Sequence, residues 1–213
     1  MKKIFILIIG LTVLTSSCKA QNIVPLYNGP DNKPAIPRYY KDTDNDFNTF
    51  EGTWKWEQGT SSWTIEFKKV VQYHRQHEKY NGIEFYDEYW DHLVGSYRYV
   101  ENGVELINSL PITLGNDPYT YSMYGSTLTT DGRGFPPCPE CVPDARHLIV
   151  YMEDPERPGL KGIIRMVRFN EGGVEKIRMK MIKSNSDPRI IGPDYTGPMT
   201  LTVPSGVYTF IKQ

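Results

Sequence analysis

The clearest alternation of apolar and polar positions runs through residues 47–69. Trp54 and Trp56 share one parity, with Lys55 and Glu57 on the other. After a break at Gln58-Gly59-Thr60-Ser61, Trp63, Ile65 and Phe67 share a parity against Thr64, Glu66 and Lys68. A period of two marks a strand with one dry face and one wet face. The stretch predicts two antiparallel strands joined by a short turn, with an aromatic face that the rest of the chain must cover.

Further strand signals follow. Residues 83–110 read as a long hairpin turning at Asn102-Gly103, a pair that tolerates the positive φ of a type I′ turn. In that register Tyr99 faces Leu106 and Tyr97 faces Asn108. Residues 125–128 form a short strand. In residues 147–154, Leu148, Val150 and Met152 lie on one face and Ile149 and Tyr151 on the other, which predicts cover on both sides. Residues 163–170 and 174–182 form a hairpin around Glu171-Gly172-Gly173, with Ile177, Met179 and Met181 inward and Arg178 and Lys180 on the wet face. Residues 200–203 and 207–212 are the last strands. Aromatic content is 13%, with 15 tyrosines, and turn formers are frequent at 18 Gly and 16 Pro. Pattern and composition together predict an all-β chain. The expected fold is a single antiparallel up-and-down barrel, or a strongly curved sheet, of about eight to ten strands.

The first residues have another character. Lys2 and Lys3 precede an apolar run at 4–14 and the small residues Thr15-Ser16-Ser17 before Cys18. This is the layout of an export signal over residues 1–17. Small residues ahead of Cys18 resemble a bacterial lipobox, which implies cleavage before Cys18 and acylation of its thiol. Leu14 stands four residues before the Cys where three is usual, and cleavage after Ala20 is the alternative. The expected location is the outer membrane or cell surface, held by a lipid anchor at Cys18; the alternative is periplasmic or secreted. Residues 18–46, with Pro25, Pro30, Pro34 and Pro37, are expected to be a tether or an extended arm, and residues 47–213 the barrel-like domain. The formal net charge is -1, so no basic excess argues for nucleic acid.

Candidate chemistry is sparse. Asp42, Asp44 and Asp46 have the spacing that opens a calcium loop, but Phe47 and Thr53 stand where that loop needs Gly and Glu. The stretch reads instead as a solvated acidic lead-in. His74 and His77 could join Cys138 and Cys141 in a zinc set only on a helix that the pattern does not show, so no metal is expected. Prolines around Cys138-Pro139-Glu140-Cys141 disfavour the helix start that a redox motif needs, and the pair is expected to form a structural disulfide. Glu84, Asp87, Glu88 and Asp91 lie near His92, but alternation divides them between two faces. No catalytic set and no cofactor follow.

Gly52-Thr53-Trp54 resembles the Gly-x-Trp signature of lipocalin and related calycin barrels, in which the Trp plugs the closed end beneath a ligand cavity. A second resemblance runs through Tyr40-Lys41-Asp42-Thr43, Gly52-Thr53-Trp54, Leu93-Val94-Gly95, Tyr97-Arg98-Tyr99, Asn102-Gly103 and Pro204. Those residues are similar to a family of small secreted proteins and lipoproteins from Bacteroidetes that carries only a domain-of-unknown-function label. That resemblance implies export and β-architecture and carries over no functional residue.

Two functions are weighed from this. In the first, Trp54, Trp56, Trp63, Ile65 and Phe67 line a barrel interior that accepts a small apolar or amphipathic ligand. In the alternative, these side chains fill a packed core, and the protein serves a structural or protein-interaction role at the cell envelope, with Tyr119, Tyr121 and Tyr124 as surface anchors. A hydrolase is the least supported reading, because no nucleophile elbow, phosphate loop or zinc helix is present.

Overall fold

The computed structural model describes residues 22–28, 38–76, 87–113, 115–183 and 197–213. The export signal, Cys18, Ala20, Pro30, Pro34, Pro37, His77 and Glu84 lie outside them. The fold is all-β: β1 (Asn22–Pro25), β2 (Arg38–Lys41), β3 (Gly52–Gln58), β4 (Ser61–Gln76), β5 (Asp87–Glu101), β6 (Val104–Asn108), β7 (Met123–Thr129), β8 (His147–Glu153), β9 (Lys161–Glu171), β10 (Val174–Lys183) and β11 (Gly206–Lys212). The helical pieces among the described residues are three short 3-10 turns, at Leu26–Asn28, Asp46–Thr49 and Pro118–Thr120.

Eight strands close a barrel in the order β5-β4-β3-β11-β10-β9-β8-β7, with β7 returning to β5. Every barrel pairing is antiparallel, and the connections form a meander apart from the excursion through β6. Strand β5 makes this possible by changing partner along its length. It pairs with β2 at residues 88–90, with β7 at 93–95 and with β6 at 98–101. β1 adds to β2 in parallel.

Alternation places Trp54, Trp63, Ile65, Phe67, Leu93, Tyr97, Met123, Leu148, Val150, Met152, Ile164, Met166, Ile177, Met179 and Phe210 inside, each with no exposed surface. Outward positions carry Lys55, Glu57, Glu66, Lys68, Arg98, Lys176 and Arg178, ion-paired along one strand (Lys55–Glu57, Lys68–Glu66), across neighbouring strands (Arg98–Glu105, Lys176–Glu171) or to a loop (Arg178–Glu140). This is the reverse of a barrel that faces lipid, which is apolar outside and polar within.

Several details depart from the pattern reading. The β5–β6 turn does form at Asn102-Gly103 with φ of 51° and 81°. Beyond it a bulge shifts the register, so Tyr99 pairs with Ile107 and Arg98 with Asn108. The extra residue comes at a strand rim, where bulges are common. Residues 200–203 are not a strand: Leu201 and Val203 pack as irregular backbone over the core, and the Thr202 N–H donates to Asp154 at 2.7 Å. The outward face of β8 is not fully covered, and Tyr151 is 42% exposed.

Asp42 is not a solvated lead-in. It is buried, its carboxylate accepts from the N–H groups of Asp46 (2.8 Å) and Phe47 (3.0 Å), and Lys69 pairs with it at 2.8 Å. Asp44 and Asp46 are held by Arg146 at 3.0 and 3.1 Å.

Two glycines mark where backbones crowd. A Cβ at Gly125 would stand 2.3 Å from the Ile149 carbonyl oxygen, whereas at Gly95 the nearest atoms are Phe67 ring carbons at 2.8 and 2.9 Å. A side chain can shift where a hydrogen-bonded backbone cannot. Gly125→Ala is therefore expected to lower stability by more than roughly 3 kcal/mol and Gly95→Ala by roughly 1–3 kcal/mol. Denaturant midpoints of the two variants against the parent check the order.

Candidate functional site

The barrel interior comes first, because the aromatic face of β3 and β4 points into it. Trp63 stands at its centre with Tyr208 at 5.2 Å, Phe210 at 5.3 Å, Tyr97 at 6.1 Å and Tyr99 at 6.5 Å between ring centroids. These near-perpendicular contacts are the preferred edge-to-face geometry. The Trp63 indole N–H meets no acceptor among the described residues, so the rings around it are its only company. Trp63, Ile65 and Phe67 have no surface that a water molecule could touch, from outside or from within.

The two ends of the barrel carry different groups. At the lower end, where β3 begins, Phe47 and Phe50 of the 3-10 turn are buried and the Trp54 indole donates to the Phe50 carbonyl at 2.7 Å. Lys212 lies over the Trp54 ring at 5.4 Å. At the upper end Trp56, which is half-buried, stands edge-on to Tyr208 at 5.0 Å. The Tyr208 hydroxyl donates to the Pro204 carbonyl at 2.7 Å. The five residues considered as a ligand set thus form two groups: Trp54, Trp63, Ile65 and Phe67 in the packed interior, and Trp56 at the rim.

The outer wall carries a different assembly. After Val70 a bulge at Val71-Gln72, with Gln72 at φ 56°, re-aims the end of β4. Asp91 holds that bulge. Its carboxylate accepts from the Gln72 N–H (2.9 Å), the Tyr39 hydroxyl (2.6 Å) and the Asp42 N–H (3.0 Å). Burial first, and then the hydrogen bond to Asp91, push the Tyr39 hydroxyl well above the usual phenol range. The two aspartates therefore join β2, β4 and β5, and their oxygens are spent on structure rather than free for acid–base chemistry.

The bulge sends Tyr73 outward beside His92. Residues 109–113 and 115–122 then lie against this wall, burying Ile112, Tyr121 and Val94 with Val70 in a small satellite core. Asp117 caps the 3-10 turn by accepting from the Tyr119 N–H at 2.9 Å. That cap sets Tyr119 over Tyr73 (5.8 Å), His92 (5.9 Å) and Tyr124 (5.0 Å), and Tyr124 meets Tyr151 at 5.8 Å. The result is a continuous strip, Tyr73-Tyr119-Tyr124-Tyr151, with His92 beneath it. Tyr119 is 43% exposed and Tyr151 42%. Lys161 and Glu153, paired at 2.7 Å, border the strip at Tyr124.

Of the three tyrosines singled out in the sequence, Tyr119 and Tyr124 lie in the strip. Tyr121 turns inward, exchanging hydrogen bonds with the backbone of Gly115. Tyr73, Tyr151 and His92 were missed. Tyr73 depends on a bulge that no residue pattern announces, although Tyr151 stood out as an apolar residue on the wrong face of its strand.

A second loop covers the wall on the far side. Residues 130–146 approach β8 and β9, with Phe135 against His147 and under Arg165, and a disulfide joins Cys138 to Cys141. Arg178 holds this loop through Glu140 (2.8 and 3.0 Å) and the Pro137 carbonyl (2.8 Å), and stacks over Phe169 at 4.7 Å. His74, on β4 rather than on a helix, stacks against Tyr89 at 4.4 Å. Among the described residues no group of three or more His, Cys, Asp or Glu is placed to hold a metal ion.

The molecule is therefore a closed antiparallel barrel with an aromatic core cluster inside and an aromatic strip on its outer wall. The chain belongs to the family described as "Family of unknown function (DUF6705)", whose profile matches residues 1–213. Neither curated proteins nor solved structures gave a match.

His92 makes the strip sensitive to acid. Burial, and secondly the nearby Arg75 charge, lower its pKa from 6.5 to about 4, with Asp117 pulling weakly the other way. Its Nδ1 has no partner among the described residues. The unfolded chain therefore takes up a proton that the folded chain refuses. The stabilisation is complete above about pH 6.5 and is lost as pH falls towards about 4, by up to ~3 kcal/mol. His92→Phe is expected to remove most of that loss, which unfolding midpoints at pH 7 and pH 4.5 will measure.

Proposed function

We propose that this protein is an exported cell-envelope lipoprotein, anchored through Cys18, that works through its outer surface as a protein-interaction module rather than by carrying a ligand. The observation that supports this most directly is the contrast between wall and interior. Trp54, Trp63, Ile65 and Phe67 touch no space that could admit even a water molecule, while four tyrosines run edge to edge along the outside. Tyrosine is favoured at binding surfaces because it offers a large rigid area with a polar tip, at little cost in conformational freedom. The export layout of residues 1–17 and the Cys138–Cys141 disulfide support an oxidising compartment.

Native mass spectrometry of the protein from its own membrane fraction tests the reading, with no small molecule expected to leave on unfolding. A stoichiometric ligand released on denaturation would overturn it in favour of a carrier. Tyr119→Ser combined with Tyr151→Ser is expected to change stability by less than about 1 kcal/mol, since both are exposed. The same double variant should lose crosslinking to the partner that a photo-reactive residue at Tyr124 captures in intact cells. Undiminished crosslinking would remove the strip from the argument.

A further inference from the structure

We propose that the lower end of the barrel, where β1 meets the far end of the β4–β5 ribbon, faces the lipid surface, and that the upper rim is held away from it. The inference rests on the lipid anchor at Cys18 and adds an orientation to it. Only Lys19, Ala20 and Gln21 separate Cys18 from the start of β1. Four Cα steps reach at most about 14 Å when fully extended. Whatever conformation those residues take, an acylated Cys18 lies within that distance of Asn22.

The position of Asn22 is informative. It pairs with Arg38, Arg38 with Glu88, and Glu88 with Arg75. That row crosses four strands next to Gln76↔Asp87, the last described pair of the β4–β5 ladder, at the lower end of the described residues. The opposite tip, Asn102-Gly103, is fourteen residues further along β5. At about 3.3 Å per residue, and with a barrel's usual strand tilt of about 40°, it stands roughly 35 Å higher. A connection of about 14 Å cannot turn that tip, or the Gly59-Thr60 turn beside it, towards the bilayer while leaving β1 behind.

The side chains next to the connection suit a headgroup region. Ile23 is 52% exposed and Tyr27 is 42% exposed, with the Arg146 guanidinium over the Tyr27 ring at 5.0 Å. An aliphatic group, an amphipathic ring and a cation together match the chemistry of the membrane–water boundary. The upper rim presents Val104 (59%) and Val207 (57%) at the other end, free for contacts away from the lipid. The tyrosine strip lies on the wall between the two ends, so this orientation leaves it open to a partner approaching along the membrane.

The test uses the full chain, acylated in its native host and reconstituted in phosphatidylcholine vesicles that contain a headgroup spin-labelled lipid. Single fluorophores are attached through Ile23→Cys, Val174→Cys or Val104→Cys, with the native disulfide kept oxidised. Intact mass spectrometry of each preparation first establishes the acyl mass on Cys18. Quenching is expected to be several-fold stronger at position 23 than at position 104, with position 174, on the lower end across the barrel, in between. In acylated protein, equal quenching at 23 and 104 would mean that the barrel lies on its side, and stronger quenching at 104 that it is inverted; either overturns the orientation while leaving the anchor intact. A mature chain that starts at Gln21 without acyl mass would overturn the anchor itself, and the orientation with it.

Discussion

A closed eight-stranded barrel has an interior that its own inward side chains can fill or that can hold one small ligand, and that volume constraint governs the rest of this molecule. What the interior holds is a matter of residue size. Here the inward positions carry two tryptophans, several tyrosines and phenylalanines, and a row of methionines that fill irregular gaps. Smaller residues at the same positions would leave a pocket. With these, the inward side chains form one hydrophobic core cluster in which Trp54, Trp63, Ile65 and Phe67 have no exposed surface.

Filling the interior raises a second problem, because a barrel closes only if its strands can change partner without leaving backbone groups unpaired. β5 meets that problem by pairing in turn with β2, β7 and β6. The change from β2 to β7 coincides with the β4 bulge, and there Asp91 and Asp42 supply acceptors for the N–H groups of Gln72, Asp46 and Phe47. Buried carboxylates are costly unless each oxygen has donors. These two have a lysine, a tyrosine hydroxyl and four backbone donors between them. That is why a pair of acidic residues which could suggest catalysis is better understood as the fastening of the barrel's lower end.

Much of the architecture was legible in the chain because it is written locally. Trp63, Ile65 and Phe67 alternate with polar neighbours, and Asn102-Gly103 and Gly172-Gly173 both adopt the positive φ that their composition predicts. The Asp42–Asp91 fastening was not legible, since its partners stand 49 residues apart and each alone looks like a solvated acid. The tyrosine strip was half legible for the same reason. Tyr119 and Tyr124 are near neighbours in sequence, but Tyr73 and Tyr151 join them only through the bulge and the β7–β8 pairing. Parity put Trp54, Trp56, Trp63, Ile65 and Phe67 on one face, but parity cannot tell a lined cavity from a filled one, because that depends on the volume of residues from every other strand.

The two loops on the wall show how such a barrel acquires a surface worth recognising. Outward positions of a small barrel are ordinarily solvated and chemically uniform. Ile112 and Tyr121 of the first loop lie over Val70 and Val94, and the second loop is tied to β9 and β10 through Cys141 and Glu140. The disulfide within the second loop spans a sequence separation of only 3, so by chain entropy alone it adds only about 2 kcal/mol to global stability. Its greater effect is local: it fixes the loop tip so that Glu140 and the Pro137 carbonyl meet Arg178 together. The first loop has no covalent tie and relies on the Asp117 cap and the Tyr121–Gly115 hydrogen bonds. One side of the wall is thus pinned, and the other is held by weaker bonds around an uncharged histidine. Tyr73, Tyr119, Tyr124 and Tyr151 lie on the second side.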